Sequence, residues 1–199
     1  MKSVLISIQP KWCEVIANGK KTVEVRKTKP KTETPFKVYI YCTKNKEKLI
    51  DVIHDGDDMG DFIHRGKPNF IKAYKDLSLY GLFNGGKVIG EFVCDKVEQG
   101  HILWVKEQPK YYEKTDEKTQ LTYRQMLDYL GEKGIGYFWH ISDLVIYDKP
   151  KELSEFKKIN RECWYADLGL AKRDCPECQN KGCFVQRPPQ SWCYVEELG

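Results

Sequence analysis

The chain has 199 residues, 41% of them hydrophobic and 13% aromatic, with a formal net charge of +4. Such a composition argues for a globular protein and against a disordered one, and the length suits one domain with an appendage. A charge this modest permits nucleic-acid binding without requiring it.

The N-terminal Met1-Lys2-Ser3-Val4-Leu5-Ile6 reads as a strand and lacks the apolar core and cleavage site of a secretory signal. No apolar run reaches the roughly 18–20 residues that a membrane span needs. A cytoplasmic location is expected, where the eight cysteines stay reduced. Lys11 to Asn18 reads as a short helix, with Pro10 in its first turn and Gly19 in the left-handed position after it.

Gly19-Lys20-Lys21-Thr22-Val23-Glu24-Val25-Arg26 then forms a turn leading into a short strand. Val23 and Val25 alternate with Thr22, Glu24 and Arg26, so a period of two places a hydroxyl, a carboxylate and a guanidinium on one face. Lys21 stands where the turn enters the strand. A basic stretch surrounds this motif. From Lys20 to Lys48, ten lysine or arginine residues face three glutamates, a local charge of +7 that would attract phosphate.

Phe36–Thr43 reads as the next strand, and residues 44–80 as an insertion holding possible helices at Lys46–Ile53 and Phe70–Tyr80. Asn84-Gly85-Gly86 signals a hairpin before a strand over Lys87–Asp95. A further strand is predicted at His101–Lys106, and a helix from Thr122 to Glu132 with Thr122 as N-cap, ending at Gly134. Gly136–Tyr147 reads as one long strand, terminated by Pro150. Short strands joined by one or two helices suit a mixed barrel better than a doubly wound sheet.

The order of these segments resembles the ASCH domain of the PUA-like superfamily. The likeness rests on Ser7-Ile8-Gln9-Pro10-Lys11, the G-x-K-x-x-E-x-R motif, Lys37–Cys42, Gly85–Phe92 and Gly136–Ile141. It spans about residues 1–156 and implies an α+β fold: a PUA-like mixed β-barrel with flanking short helices. A small Cys-rich appendage over residues 157–190 and a closing strand and tail over 191–199 complete the expected organisation.

The resemblance further implies a cleft for a nucleic acid or a nucleotide. Lys21, Glu24 and Arg26 are the expected binding set. Lys21 and Arg26 can donate to phosphate or a base carbonyl, and Glu24 can accept from an exocyclic amine. RNA is the expected partner, with DNA possible. Glu91 is expected on the face of Ile89 and Val93, as a second carboxylate in the cleft or as a solvated strand residue. With Phe138 in the core, parity puts His140 on the inner side and leaves Trp139 as the base-stacking candidate.

An enzymatic alternative uses Lys21 and Glu24 catalytically, with Lys21 as base or nucleophile. Some bacterial ASCH proteins are amidohydrolases on acetylated cytidine, using a lysine, a threonine three positions later and a downstream glutamate. Lys21 matches the lysine; Glu24 replaces the threonine. Near the glutamate's place stand Thr119 and, more loosely, Glu117. A ribonuclease activity is also associated with the family, but no acid–base pair for it is evident. A protein-interaction adaptor is the third possibility.

Cys163, Cys175, Cys178 and Cys183 follow a C-x11-C-x2-C-x4-C spacing suited to structural zinc. Cys193 competes with Cys163 for the fourth place, although its parity with Val195 marks it as a core residue.

Overall fold

The computed structural model describes residues 2–44, 85–159 and 183–198. Eight strands and two α-helices make up the regular structure of this part, an α+β fold. The strands are β1 (Lys2–Ile8), β2 (Val23–Arg26), β3 (Phe36–Cys42), β4 (Lys87–Cys94), β5 (Val97–His101), β6 (Ile135–His140), β7 (Ser142–Lys151) and β8 (Trp192–Glu196). Helix α1 (Pro10–Ala17) lies between β1 and β2, and α2 (Tyr123–Leu130) precedes β6.

Hydrogen-bond ladders sort the strands into a five-stranded sheet, ordered β7-β4-β3-β1-β8, and a three-stranded sheet, ordered β2-β6-β5. Only β1 and β3 pair in parallel, with Val4 opposite Val38. The main core lies between the sheets. It joins Val4, Ile6 and Ile8 of β1, Val38 and Ile40 of β3, Cys13 and Ile16 of α1, and Trp139 of β6. Behind the larger sheet a second cluster holds Leu5, Tyr39, Tyr41, Val88, Phe156 and Val195. Because β1 and β3 are covered on both faces, they read as nearly unbroken apolar runs.

The smaller sheet has an outer cover as well. Val25 packs with Ile102, Met126 and Leu130, so α2 lies over its outward face, with Phe138 against the same cluster. This placement explains why all four residues of β2 are buried. Val25 meets α2, while Glu24 and Arg26 are aligned with Trp139 and Tyr137 and face inward. Thr122 caps α2 in a capping box with Gln125.

Several expectations need correction. The strand predicted at His101–Lys106 runs earlier, over Val97–His101, and the apolar Leu103–Glu107 forms a 3-10 turn. Helix α2 stops at Leu130, where Gly131 has φ 78°. The long Gly136–Tyr147 strand is two strands in different sheets. The chain crosses between them at Ile141, whose N–H donates to the Thr22 carbonyl at 2.9 Å, and Asp143 takes φ 45°. Pro150 does not end β7; at a sheet edge its missing N–H costs no ladder bond. The bulk of the expected insertion lies outside the described residues, as do Cys163, Cys175 and Cys178. Cys183 is buried, and Cys193 packs with Val195 behind the large sheet.

Candidate functional site

Lys21 enters β2 from a tight turn. Gly19 adopts φ 69° after α1, and the N–H groups of Lys20 and Lys21 donate to the Val15 carbonyl at 3.1 Å. From the other side the loop at 116–119 docks on the strand, its Lys118 carbonyl accepting from Thr22 and Val23. Asp116 shapes that loop by accepting from the N–H of Thr119 at 2.8 Å and of Lys118 at 3.2 Å. The shaped loop then turns the Thr119 carbonyl toward Lys21.

Three charged side chains meet there. Lys21 Nζ donates to the Thr119 carbonyl at 2.6 Å and lies 3.3 Å from Glu24 Oε2. The other carboxylate oxygen, Glu24 Oε1, is 3.0 Å from Arg26 Nη2, which also donates to the Ser7 carbonyl at 2.7 Å. Arg26 Nη1 reaches Ser191 Oγ at 3.5 Å, and Arg26 Nε is buried with no hydrogen-bond partner among the described residues. Exposure is only 2% for Lys21 and 7% each for Glu24 and Arg26. Two cations therefore share one buried carboxylate, a net charge of +1. Burial pushes the Lys21 ammonium below the ordinary lysine value, and Arg26 adds to that, while Glu24 and Asp116 pull it back up.

These side chains line a recess of about 470 Å³, whose walls include Trp12, Gln125 and Tyr129. Lys21 Nζ stands 5.4 Å from the centre of the Trp12 ring, and Lys11 Nζ 4.7 Å from it. Cys13, one residue after Trp12, is fully buried; burial, then a neighbouring Cys42, then Glu24 raise its thiol well above the usual value.

Lys21, Glu24 and Arg26 are thus brought together as their spacing suggested. Two other candidates are not. Trp139 is wholly buried, edge-on to Phe36 at 5.7 Å and near Trp192 at 6.1 Å, so no base can reach it. The parity runs the other way: Phe138 belongs to the cluster under α2, and His140 pairs with Glu98 at 2.7 Å. Because the β3–β4 register shifts between Ile40 and Tyr41, Ile89 turns into the main core, while Glu91 faces the other way. It sits opposite Tyr39, bonded to Tyr147 and 3.1 Å from Lys37, and does not line the recess.

Sequence reasoning missed Trp12, Gln125 and Tyr129. Trp12 had a local signal, since it follows directly on Ser7–Lys11 in the helix that feeds the motif. Gln125 and Tyr129 had none, because only the tertiary fold lays α2 against β2. Thr119, set against the absent glutamate, contributes its main-chain carbonyl instead.

Solved structures similar to the chain include an ASCH protein from Zymomonas mobilis. The chain is similar to ASCH proteins. That structure is 16% identical, with a TM-score of 0.47, and the alignment covers 98% of this chain and 88% of the other. A tyrosine-to-phenylalanine variant of it matches with the same identity and score, covering 99% and 92%. No family model matches the chain, and no curated protein does. Among the described residues no helix is long and apolar enough to cross a membrane, and no cluster of three or more metal-ligating side chains occurs.

Proposed function

We propose that the recess receives one nucleotide or base of a nucleic acid, RNA before DNA, and that Lys21, Glu24 and Arg26 recognise its polar edge. The observation that carries this reading is the buried, net-positive triad in the wall of an open recess. Its volume of about 470 Å³ falls within the roughly 300–1,000 Å³ typical of small-ligand sites, room for one nucleotide unit rather than a duplex. Hydrogen-bonding capacity supports it too. Lys21 has three N–H groups and two partners, and Glu24 has lone pairs beyond the two ion pairs. Trp12 and Tyr129 offer flat faces for a base. A reducing, cytoplasmic compartment suits the free thiols of Cys13, Cys42 and Cys94.

The test is binding of a fluorescein-labelled RNA oligonucleotide at low and rising salt. Lys21→Met should weaken binding about ten- to a hundredfold, the worth of one hydrogen bond to a charged group, in a variant whose far-UV circular dichroism matches the parent's. Undiminished affinity in that variant refutes the reading.

A second reading is favoured by one observation, the lowered Lys21 ammonium with a carboxylate 3.3 Å away. A lysine so placed can serve as general base or nucleophile on a modified nucleoside such as acetylated cytidine. Acetate release that vanishes in Lys21→Arg, which keeps the charge but cannot lose its proton, would support hydrolysis. Absence of turnover in the parent protein would dismiss it.

A further inference from the structure

Beyond the recess, the chain leaving β2 carries Lys27, Lys29 and Lys31, all exposed. Aromatic side chains from three separate elements meet this segment. Lys27 Nζ lies 5.2 Å from the Tyr129 ring centre on α2, and Lys29 Nζ lies 5.8 Å from that of Tyr137 on β6. On β8, Tyr194 accepts a hydrogen bond from the Lys31 N–H at 2.7 Å, and Trp192 Nε1 donates to Thr28 Oγ1 at 3.0 Å. Lys2 completes the row, 3.8 Å from the Tyr194 ring centre.

The row begins at the recess itself, because Tyr129 is 38% exposed and also lines it. Its charge is not neutralised locally. Among the described residues, Lys2, Lys27 and Lys29 have no carboxylate within ion-pair distance, whereas Lys37, Lys87, Lys96 and Lys157 each have at least one. Rings alternating with unpaired ammonium groups match a polymer whose bases alternate with phosphates. An acidic peptide would use the ammonium groups and leave the rings idle.

We propose that the rim formed by Lys27, Lys29, Tyr129 and Tyr137 binds the nucleotides flanking the one in the recess, so that the ligand is a single-stranded RNA rather than a free nucleotide. This rests on the recess reading above and assigns the polymer as its ligand class. Lys27 and Lys29 take the phosphates, and the exposed Tyr129 takes a base once the Lys27 side chain turns outward, while Tyr137, half-buried against the main core, backs Lys29.

The test compares a fluorescein-labelled, mixed-sequence, single-stranded RNA octamer with the four nucleoside 5′-monophosphates. The octamer should bind at least about tenfold tighter than any monophosphate, the gain expected where each stacked base adds to the affinity. The double variant Lys27→Ala/Lys29→Ala should lose that margin, keep its monophosphate affinity, and flatten the log–log salt slope by about 1.4, or 0.7 for each of two phosphates. Tyr129→Leu should weaken octamer binding at an unchanged slope, since stacking carries no charge. If monophosphates bind and the octamer binds no tighter, or the double variant holds the octamer like the parent, the rim proposal falls and the recess reading stands. Displacement of the RNA by polyglutamate as readily as by unlabelled RNA overturns the rim as well. If neither octamer nor monophosphate binds, both readings fall.

Discussion

Glu24→Gln isolates the central electrostatic claim. In the parent protein one carboxylate lies 3.3 Å from Lys21 Nζ and 3.0 Å from Arg26 Nη2, with all three side chains almost fully buried. The amide keeps shape and one acceptor but removes the charge, leaving two buried cations facing each other. Breaking a buried pair in this way typically costs about 3–5 kcal/mol, and the retained acceptor favours the lower end, about 3 kcal/mol. For a chain of this length that is a fall in Tm of about 6–12 °C. The loss should depend on pH. Burial already depresses the Lys21 ammonium, and Glu24 opposes that depression; without Glu24 the folded-state value drops further. The native variant then binds fewer protons than its unfolded chain over a wider range, so its stability rises as pH climbs through the new folded value toward the unfolded one. Within that range each pH unit recovers up to about 1.4 kcal/mol relative to the parent. Urea unfolding followed by tryptophan fluorescence from pH 6 to pH 9.5 reads both effects. A loss under about 0.5 kcal/mol, the range of an ordinary surface change, would refute the buried-triad reasoning. A large loss that stays flat with pH would refute the part assigned to Lys21.

Further predictions concern the scaffold and the appendage. Trp139→Ala empties a site that is 0% exposed, and should cost about 3–5 kcal/mol of stability by chemical denaturation; a cost under about 1 kcal/mol would mean the tryptophan is not the core residue described. Gly90→Ala would drive a methyl group into the Val145 backbone carbonyl across the β4–β7 pair, so a loss of about 1–3 kcal/mol is expected from denaturation curves. If Cys163, Cys175, Cys178 and Cys183 hold structural zinc, mass spectrometry under native conditions will find one zinc per chain. Cys175→Ser/Cys178→Ser will then lack it and melt at lower temperature; a parent protein purified without zinc and unaffected by added zinc would refute the site.

Much of this architecture can be read from the chain, and the failures share a cause. Strands β1, β3 and β4, both helices and the clustering of Lys21, Glu24 and Arg26 follow from local pattern, because turn glycines, capping residues and period-two alternation are short-range signals. Periodicity separates two faces but cannot say what covers each. Along β6, Phe138 and Trp139 face opposite clusters, both apolar, so choosing Phe138 as core sent Trp139 to the wrong role. Register is equally invisible: the irregularity between Ile40 and Tyr41 turns Ile89 into the main core and separates it from Glu91, which stands opposite Tyr39. Likewise the apolar run through Ile141 carries no mark of the crossing between sheets, apart from an Asp143 able to tolerate positive φ.

The same geometry bears on why a charged row occupies an inward face. Strand β2 is covered on both sides, and apolar residues at positions 21, 24 and 26 would bury as well as the valines do. Desolvating two cations and a carboxylate is costly, and their mutual attraction does not reliably exceed that cost; well-packed apolar replacements of buried ionic groups are often neutral or stabilising by about 1–4 kcal/mol. The triad is therefore a poor device for stability, and its presence in the wall of a recess is the energetic ground for the proposed ligand. Replacing all three together, as Lys21→Met/Glu24→Leu/Arg26→Met, avoids the stranded charge that Glu24→Gln creates. This variant should match or exceed the parent in urea unfolding while losing RNA binding. A triple variant less stable than Glu24→Gln alone would show that the charges hold β2 against Ser7 and Thr119, and the case for a ligand would then lose its energetic ground.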